Sequence, residues 1–381
     1  MTVLALDGTI RRYEWGSPTV IPELLGAEPD GAPVAELWFG AHPDDPSHVP
    51  AEARNLEAVI ADDPVGILGA DVVDRFGPQL PFLLKVLAAQ KSLSIQVHPT
   101  LEQARAGFAA EAAAGIPRDA PERNYRDANH KPELICALTP FEALSGFRPI
   151  EQTLAALAEL DVPELGFLAD LLRGPDPLRA AFTAVLTHDD PAGLVAALVD
   201  RVAALGRHSE AARAVRLAAQ DFPGDIGVVL ALLLNHVRLE PGEAIYLGAG
   251  NVHCYLRGTG VEIMANSDNV LRCGLTPKHV DVPELLKITD FSELPDPRWP
   301  ATGWTFEVPV PDFRLTQLDV DGEHALEEDD GPRIVLCTSG SVQVDEEAIS
   351  PGHAVLVTAG GSAGLTGGGR VFIAGVGRTG R

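Results

Sequence analysis

Gln96, His98, Glu133 and His253 are the residues of this chain whose types and settings best suit metal binding. Ser94-Ile95-Gln96-Val97-His98-Pro99 alternates polar and apolar residues, so on a strand Ser94, Gln96 and His98 share one face. His130-Lys131-Pro132-Glu133 leads into the apolar run Leu134 to Leu138, and His253 follows the turn Gly248-Ala249-Gly250. Two imidazoles, a carboxylate and an amide oxygen suit a borderline divalent cation such as zinc. If they converge, they hold the ion and leave a position open for an exchangeable ligand. Taken singly, each is a residue type that serves structure as often as chemistry, so the weight falls on what surrounds them.

The surroundings are a series of ordered blocks between residues 10 and 285. They are Tyr13-Glu14-Trp15-Gly16, Ala35-Glu36-Leu37-Trp38 continuing to His42-Pro43, Leu80 to Leu87, Ser94 to Pro99, Asn129 to Glu133 and Phe141 to Pro149. The last run is Val261-Glu262, then Met264 to Arg272, closing with Gly274 to Lys278. In order and spacing they resemble the class I mannose-6-phosphate isomerases, which are zinc-dependent cupin enzymes. The resemblance implies a mainly β protein of cupin (jelly-roll) barrels, one catalytic and one degenerate. It also implies one Zn²⁺ per chain on Gln96, His98, Glu133 and His253, and interconversion of mannose 6-phosphate and fructose 6-phosphate.

That reaction opens the sugar ring and moves a proton between C1 and C2 through an anionic enediolate. Cations aimed at the enediolate oxygens lower the barrier, and a metal ion can polarise them. For proton transfer the resemblance offers Glu262, Lys131, His130 and Asp268. Glu262 is equally suited to orienting a ligand imidazole, and His130 and Asp268 to hydrogen bonding in a turn. Arg272 is expected to stabilise the enediolate through a planar two-point contact. Lys278, Lys85 and Ser94 are expected at the phosphate, and Trp15 among the substrate-binding residues. Cys254 departs from the family pattern, which has Ala there, and is either a bystander or an oxidation-sensitive neighbour of His253. Two rival readings are a cupin isomerase or epimerase for another phosphorylated sugar, and a non-catalytic sugar-binding cupin.

Composition narrows the class. The 381 residues carry a formal charge of −25, which argues against nucleic acid and anionic membranes as partners. A sugar phosphate must then be drawn in by a local cluster of cations. The start of the chain lacks a basic leader, and no apolar run has membrane-spanning length, so a cytoplasmic protein is expected. Cys136, Cys254, Cys273 and Cys337 show no CxxC spacing and read as reduced core residues. No P-loop run occurs, and protein partners are unspecified.

Four segments are expected. Residues 1–149 form the first part of the catalytic barrel, 150–228 a helical insertion, 229–290 the rest of that barrel, and 291–381 the degenerate barrel. Asp190-Pro191 has the form of a helix start, followed by an apolar stripe through Val202 with Gly206 as its stop. Pro295 to Trp304 reads as a linker. Pro241 to Gly250 is echoed by Pro351 to Gly360, with half the positions identical. Each repeat is a Pro-Gly turn, a short apolar strand and an Ala-Gly turn. The second copy delivers no ligand, and its His353 reads as a surface turn residue.

Overall fold

The computed structural model describes residues 3–205 and 209–378 of the chain. It is mainly β, built on an eleven-stranded and a seven-stranded sheet whose registers run antiparallel. The larger sheet takes its strands from residues between Thr9 and Trp299. Its long member, His253–Ala265, pairs with Phe82–Ala89, Glu133–Ala137, Ile95–Val97 and Phe141–Phe147. One strand therefore touches every segment that carries a metal-ligand candidate.

That reach depends on a bend. Register shifts between Tyr255 and Arg257, and Gly258 takes φ +120°, a backbone state that side chains disfavour. A Cβ at Gly258 would also fall within 2.8 Å of Phe141 backbone. The bulge resets the alternation, so Tyr255 and Glu262, an odd number of positions apart, bring their side chains together.

Helices fill the stretch expected to be helical: Ile150–Leu160, Gly166–Leu172, Pro177–Leu186, Pro191–Leu205 and Glu210–Asp221. Asp190 caps its helix by accepting from the Gly193 N–H at 2.9 Å, with Pro191 in the first position. The expected stop, Gly206, lies outside the described residues. The apolar stripes of these helices share one core with Ile95, Val97, Leu144 and Leu271 of the larger sheet. Ile95 and Val97 are fully buried in that core, which turns Gln96, between them on the strand, to the other face; Ser94 lies just before the strand and His98 just after it.

The repeated motif folds as its pattern predicts. Ala244–Leu247 and Ala354–Val357 are strands, entered through Gly242 and Gly352 and left through Gly250 and Gly360, all four at positive φ. His353 is an exposed turn residue and all four cysteines are buried.

Two expectations need correction. Val3–Leu6 does not join the first-half sheet but pairs with Ala354–Val357 in the smaller one. Nothing local to the segment names its partner. The segment read as a linker contributes a short edge strand, Arg298–Trp299, on Ala244–Ile245. A second core, including Phe82, Leu84 and Val261 from one sheet and Phe313, Leu315 and Ile334 from the other, joins the two sheets. No described helix is long and apolar enough to cross a membrane.

Candidate metal centre and adjoining cavity

His98, Glu133 and His253 converge, with possible ligand atoms all within 4.8 Å of one another. His98 follows strand Ile95–Val97, Glu133 opens strand Glu133–Ala137, and His253 opens the long bent strand. The two imidazoles are fully buried and Glu133 is nearly so. Each imidazole is oriented by a backbone carbonyl: His98 Nδ1 lies 2.7 Å from Asn269 O and His253 Nδ1 2.9 Å from Asn251 O. A carbonyl only accepts, so the ring proton sits on Nδ1 and the lone pair on Nε2. Both Nε2 atoms are buried and without a hydrogen-bond partner. They lie 3.5 and 3.4 Å from the Glu133 carboxylate, which also only accepts. Buried lone pairs aimed at a carboxylate are costly unless a cation sits among them, so this donor set fits a divalent metal ion.

The surrounding charges keep the set competent to bind. Burial lowers the His98 pKa to about 4, holding the ring neutral. Burial is the largest influence on Glu133 and would raise it, but the Lys131 ammonium, 3.3 Å away, acts with His98 and His253 to outweigh burial and keep the carboxyl well below its usual range. Gln96 stands directly opposite His253 in one ladder and Arg272 in the next. Arg272, Gln96 and His253 therefore form a row across three strands on one face, neighbours about 5 Å apart. Lys278 follows on the exposed turn after Arg272, and Ser94 is half-buried on the Gln96 face.

A second buried cluster lies farther along the bent strand. Lys85 is opposite Glu262 in the ladder, with Nζ donating to its Oε2 at 3.0 Å, and Tyr255 donates to Oε1 at 2.7 Å. Glu36 lies 3.8 Å from the same ammonium and accepts from Trp38 Nε1 at 2.7 Å. Burial raises the Glu262 carboxyl, although Lys85 opposes the shift. Lys85 is thus enclosed between two carboxylates rather than presented on a surface. Trp15 stacks on Tyr13 at 5.6 Å and packs against the apolar cluster of Leu87 and Tyr255. Cys254 turns away from the metal group: its thiol is buried, donates to Leu93 O at 3.0 Å and is pushed up by burial.

His130 and Asp268 instead line a cavity of about 1130 Å³, and none of the three buried ligand candidates lines it. Asp268 Oδ1 lies 3.5 Å from His42 Nε2; burial opposes ionisation, but this imidazole holds the carboxyl at about 2. His130 Nε2 lies 3.0 Å from Asp312 Oδ2.

Sequence reading missed three residues here. His42 carries no signal of its own beyond the block that contains it, and Asp312 comes from a segment with no ligand signal. Arg126 was not singled out, although it precedes the Asn129 to Glu133 block closely. Burial first, and then the Arg126 charge, lowers Arg272, while burial and the charges of Arg272 and Arg126 lower Lys278, so three cations share one region of an acidic protein. None has a carboxylate partner at ion-pair distance among the described residues.

Comparison with known proteins agrees with this geometry. Residues 3–150 match the family described as phosphomannose isomerase type I, catalytic domain. Mannose-6-phosphate isomerase of Escherichia coli K12 is 39% identical over 370 residues, covering 93% of this chain and 94% of that one. The Homo sapiens protein of the same name is 33% identical, covering 89% and 88%. The apo form of mannose 6-phosphate isomerase from Salmonella typhimurium superposes with a TM-score of 0.89 at 35% identity, covering 99% of this chain and 100% of that one. A zinc-bound mannose 6-phosphate isomerase superposes with a TM-score of 0.90 at the same identity and coverage. With matches at this level over nearly its whole length, the chain belongs to the type I phosphomannose isomerase (mannose-6-phosphate isomerase) family.

Proposed function

We propose that this protein is a zinc-dependent isomerase interconverting mannose 6-phosphate and fructose 6-phosphate. The observation that carries the reading is the pair of orphaned Nε2 atoms of His98 and His253 facing Glu133. Gln96 completes the ligand set from the adjacent strand. When bound, the ion polarises the substrate oxygens at C1 and C2. Glu262 takes the proton beside the carbonyl and returns it to the neighbouring carbon, and the raised carboxyl supports that role. Lys85 and Tyr255 hold Glu262 in place, a role that fits the enclosed position of Lys85 better than contact with the phosphate. Lys131 keeps Glu133 ionised. Arg272 faces the enediolate, while Arg126 and Lys278 face the phosphate. His130 and Asp268, in the cavity wall, serve ring opening. We further propose that the larger sheet forms the catalytic barrel, that the smaller one forms a degenerate barrel, and that the helices of residues 150–228 are an insertion.

A coupled assay on mannose 6-phosphate, with and without a chelator, tests the function. Activity should disappear with chelation and return with added zinc. Undiminished turnover by metal-free protein would sink the reading. Arg126 provides a second check, because a contact to the non-reacting phosphate contributes uniformly to ground and transition states. Arg126→Ala is expected to raise KM about tenfold, the low end for one lost charge-assisted contact, with kcat within about threefold. Added salt should weaken this dependence, since the contact is exposed. An unchanged KM removes Arg126 from the phosphate site.

A further inference from the structure

We infer that Asp312, which leads into a strand of the smaller sheet and lies beyond all the metal-ligand candidates in sequence, is a positioning residue for the reaction and acts by orienting His130. The inference rests on the proposal that His130 serves ring opening.

Asp312 belongs to the connection between two strands of the smaller sheet, Thr305–Glu307 and Arg314–Leu326. Its carboxylate is buried, and among the described residues His130 is its one hydrogen-bond partner, at 3.0 Å. A buried carboxylate is costly without a donor, so the imidazole must present N–H to it through Nε2. That fixes the tautomer and leaves Nδ1 as the nitrogen able to accept a proton. Both residues line the large cavity, together with His42 and Asp268. The connection itself is held on two sides. Phe313 is fully buried in the core shared by the sheets, and Arg75 donates to Pro311 O at 3.0 Å. Asp312 thus meets the requirement for orienting a catalytic imidazole: it is buried, rigidly seated and bonded to the nitrogen that does not react.

In the step served, His130 Nδ1 takes the proton of the anomeric hydroxyl as the C1 carbonyl forms. The C1–O5 bond breaks, its electron pair goes to O5, and the same proton passes from Nδ1 to O5. Atoms and charge balance with no external reagent, and reversal closes the ring. One imidazole can serve both oxygens because both are bonded to C1, provided the ring is held at a fixed angle. Holding that angle is the work assigned to Asp312.

The test uses zinc-loaded, full-length protein. In Asp312→Asn, kcat should fall about tenfold to a hundredfold with KM within about threefold, at or below the lower limit of the usual range for general acid–base effects because the imidazole itself remains. Exchange between the anomers of mannose 6-phosphate, followed by NMR, should slow by the same factor. Asp312→Glu should recover part of both. Nitrogen-15 NMR of the parent, with His130 assigned by difference from His130→Gln, should place the proton on Nε2.

Turnover within threefold in Asp312→Asn, or a parent tautomer protonated on Nδ1, overturns the inference. If Asp312→Asn does not fold, the tautomer in the parent and the kinetics of Asp312→Glu decide. The underlying reading fails separately: full turnover in His130→Gln removes His130 from ring opening. Lost turnover in His130→Gln with a normal Asp312→Asn rejects only the role of Asp312.

Discussion

His98→Ala or His253→Ala is expected to abolish metal binding and turnover together. Each imidazole is locked by a carbonyl with its free Nε2 pointing at Glu133, and no third imidazole or thiol joins that group among the described residues. The ion is proposed to polarise oxygens that become negative in the transition state, an effect worth several kcal/mol. At about 1.4 kcal/mol per factor of ten, kcat should fall by at least roughly a thousandfold. Elemental analysis of purified variants, together with the coupled assay, reads both effects. A variant that binds no zinc yet turns over normally contradicts the assigned role. Folding should survive either change, because His253 is on a strand paired on both sides and His98 is anchored just past the strand Ile95–Val97 by its carbonyl, which accepts from the Gly250 N–H. Circular dichroism of the variants checks that point.

The second large effect is expected at Arg272. Its place in the row with Gln96 and His253 sets it about two strand spacings from the metal group, within reach of an oxygen on the reacting carbons. Burial and the nearby Arg126 both disfavour its charge, so the site is primed for an anion. A contact to charge that develops only in the transition state lowers kcat when removed. Arg272→Ala should lose roughly a hundredfold to a thousandfold in kcat with a small change in KM. Arg272→Lys should recover only part, because a point charge cannot reproduce a planar two-point contact. The outcome that reassigns Arg272 to the phosphate is a change confined to KM, the pattern expected of Arg126.

The metal set was legible in the sequence because its residues lie in short alternating or turn-bounded runs. Period-two alternation gave the shared face of Ser94 and Gln96, and the buried Ile95 and Val97 show why that face is free. The helix after Asp190 was legible for the same kind of reason: cap, proline and apolar stripe are all local signals. Pairings between distant segments were not legible. Nothing in Val3 to Leu6 names Ala354 to Val357 as its neighbours, and nothing near Asp312 names His130. Lys85 illustrates the same limit, since a lysine in an apolar run reads as a cation free to meet substrate until Glu262 and Glu36 are found against it. The bulge after Tyr255 is a further case, because a single register shift decides which carboxylate that hydroxyl meets.

The pairing of Val3–Leu6 with Ala354–Val357 also sets an order of events during synthesis. Val3–Leu6 leaves the ribosome long before its hydrogen-bonding partner is made, so it waits unpaired while the intervening residues emerge. Closing so long a loop adds little to equilibrium cost but much to the delay before the contact is rewarded. Until then the Ala354–Val357 edge, flanked by apolar strands, is a template for another copy of the same segment. Deleting the strand Val3–Leu6 should therefore show first as aggregation during expression, with the metal centre in the other sheet spared in the molecules that do fold.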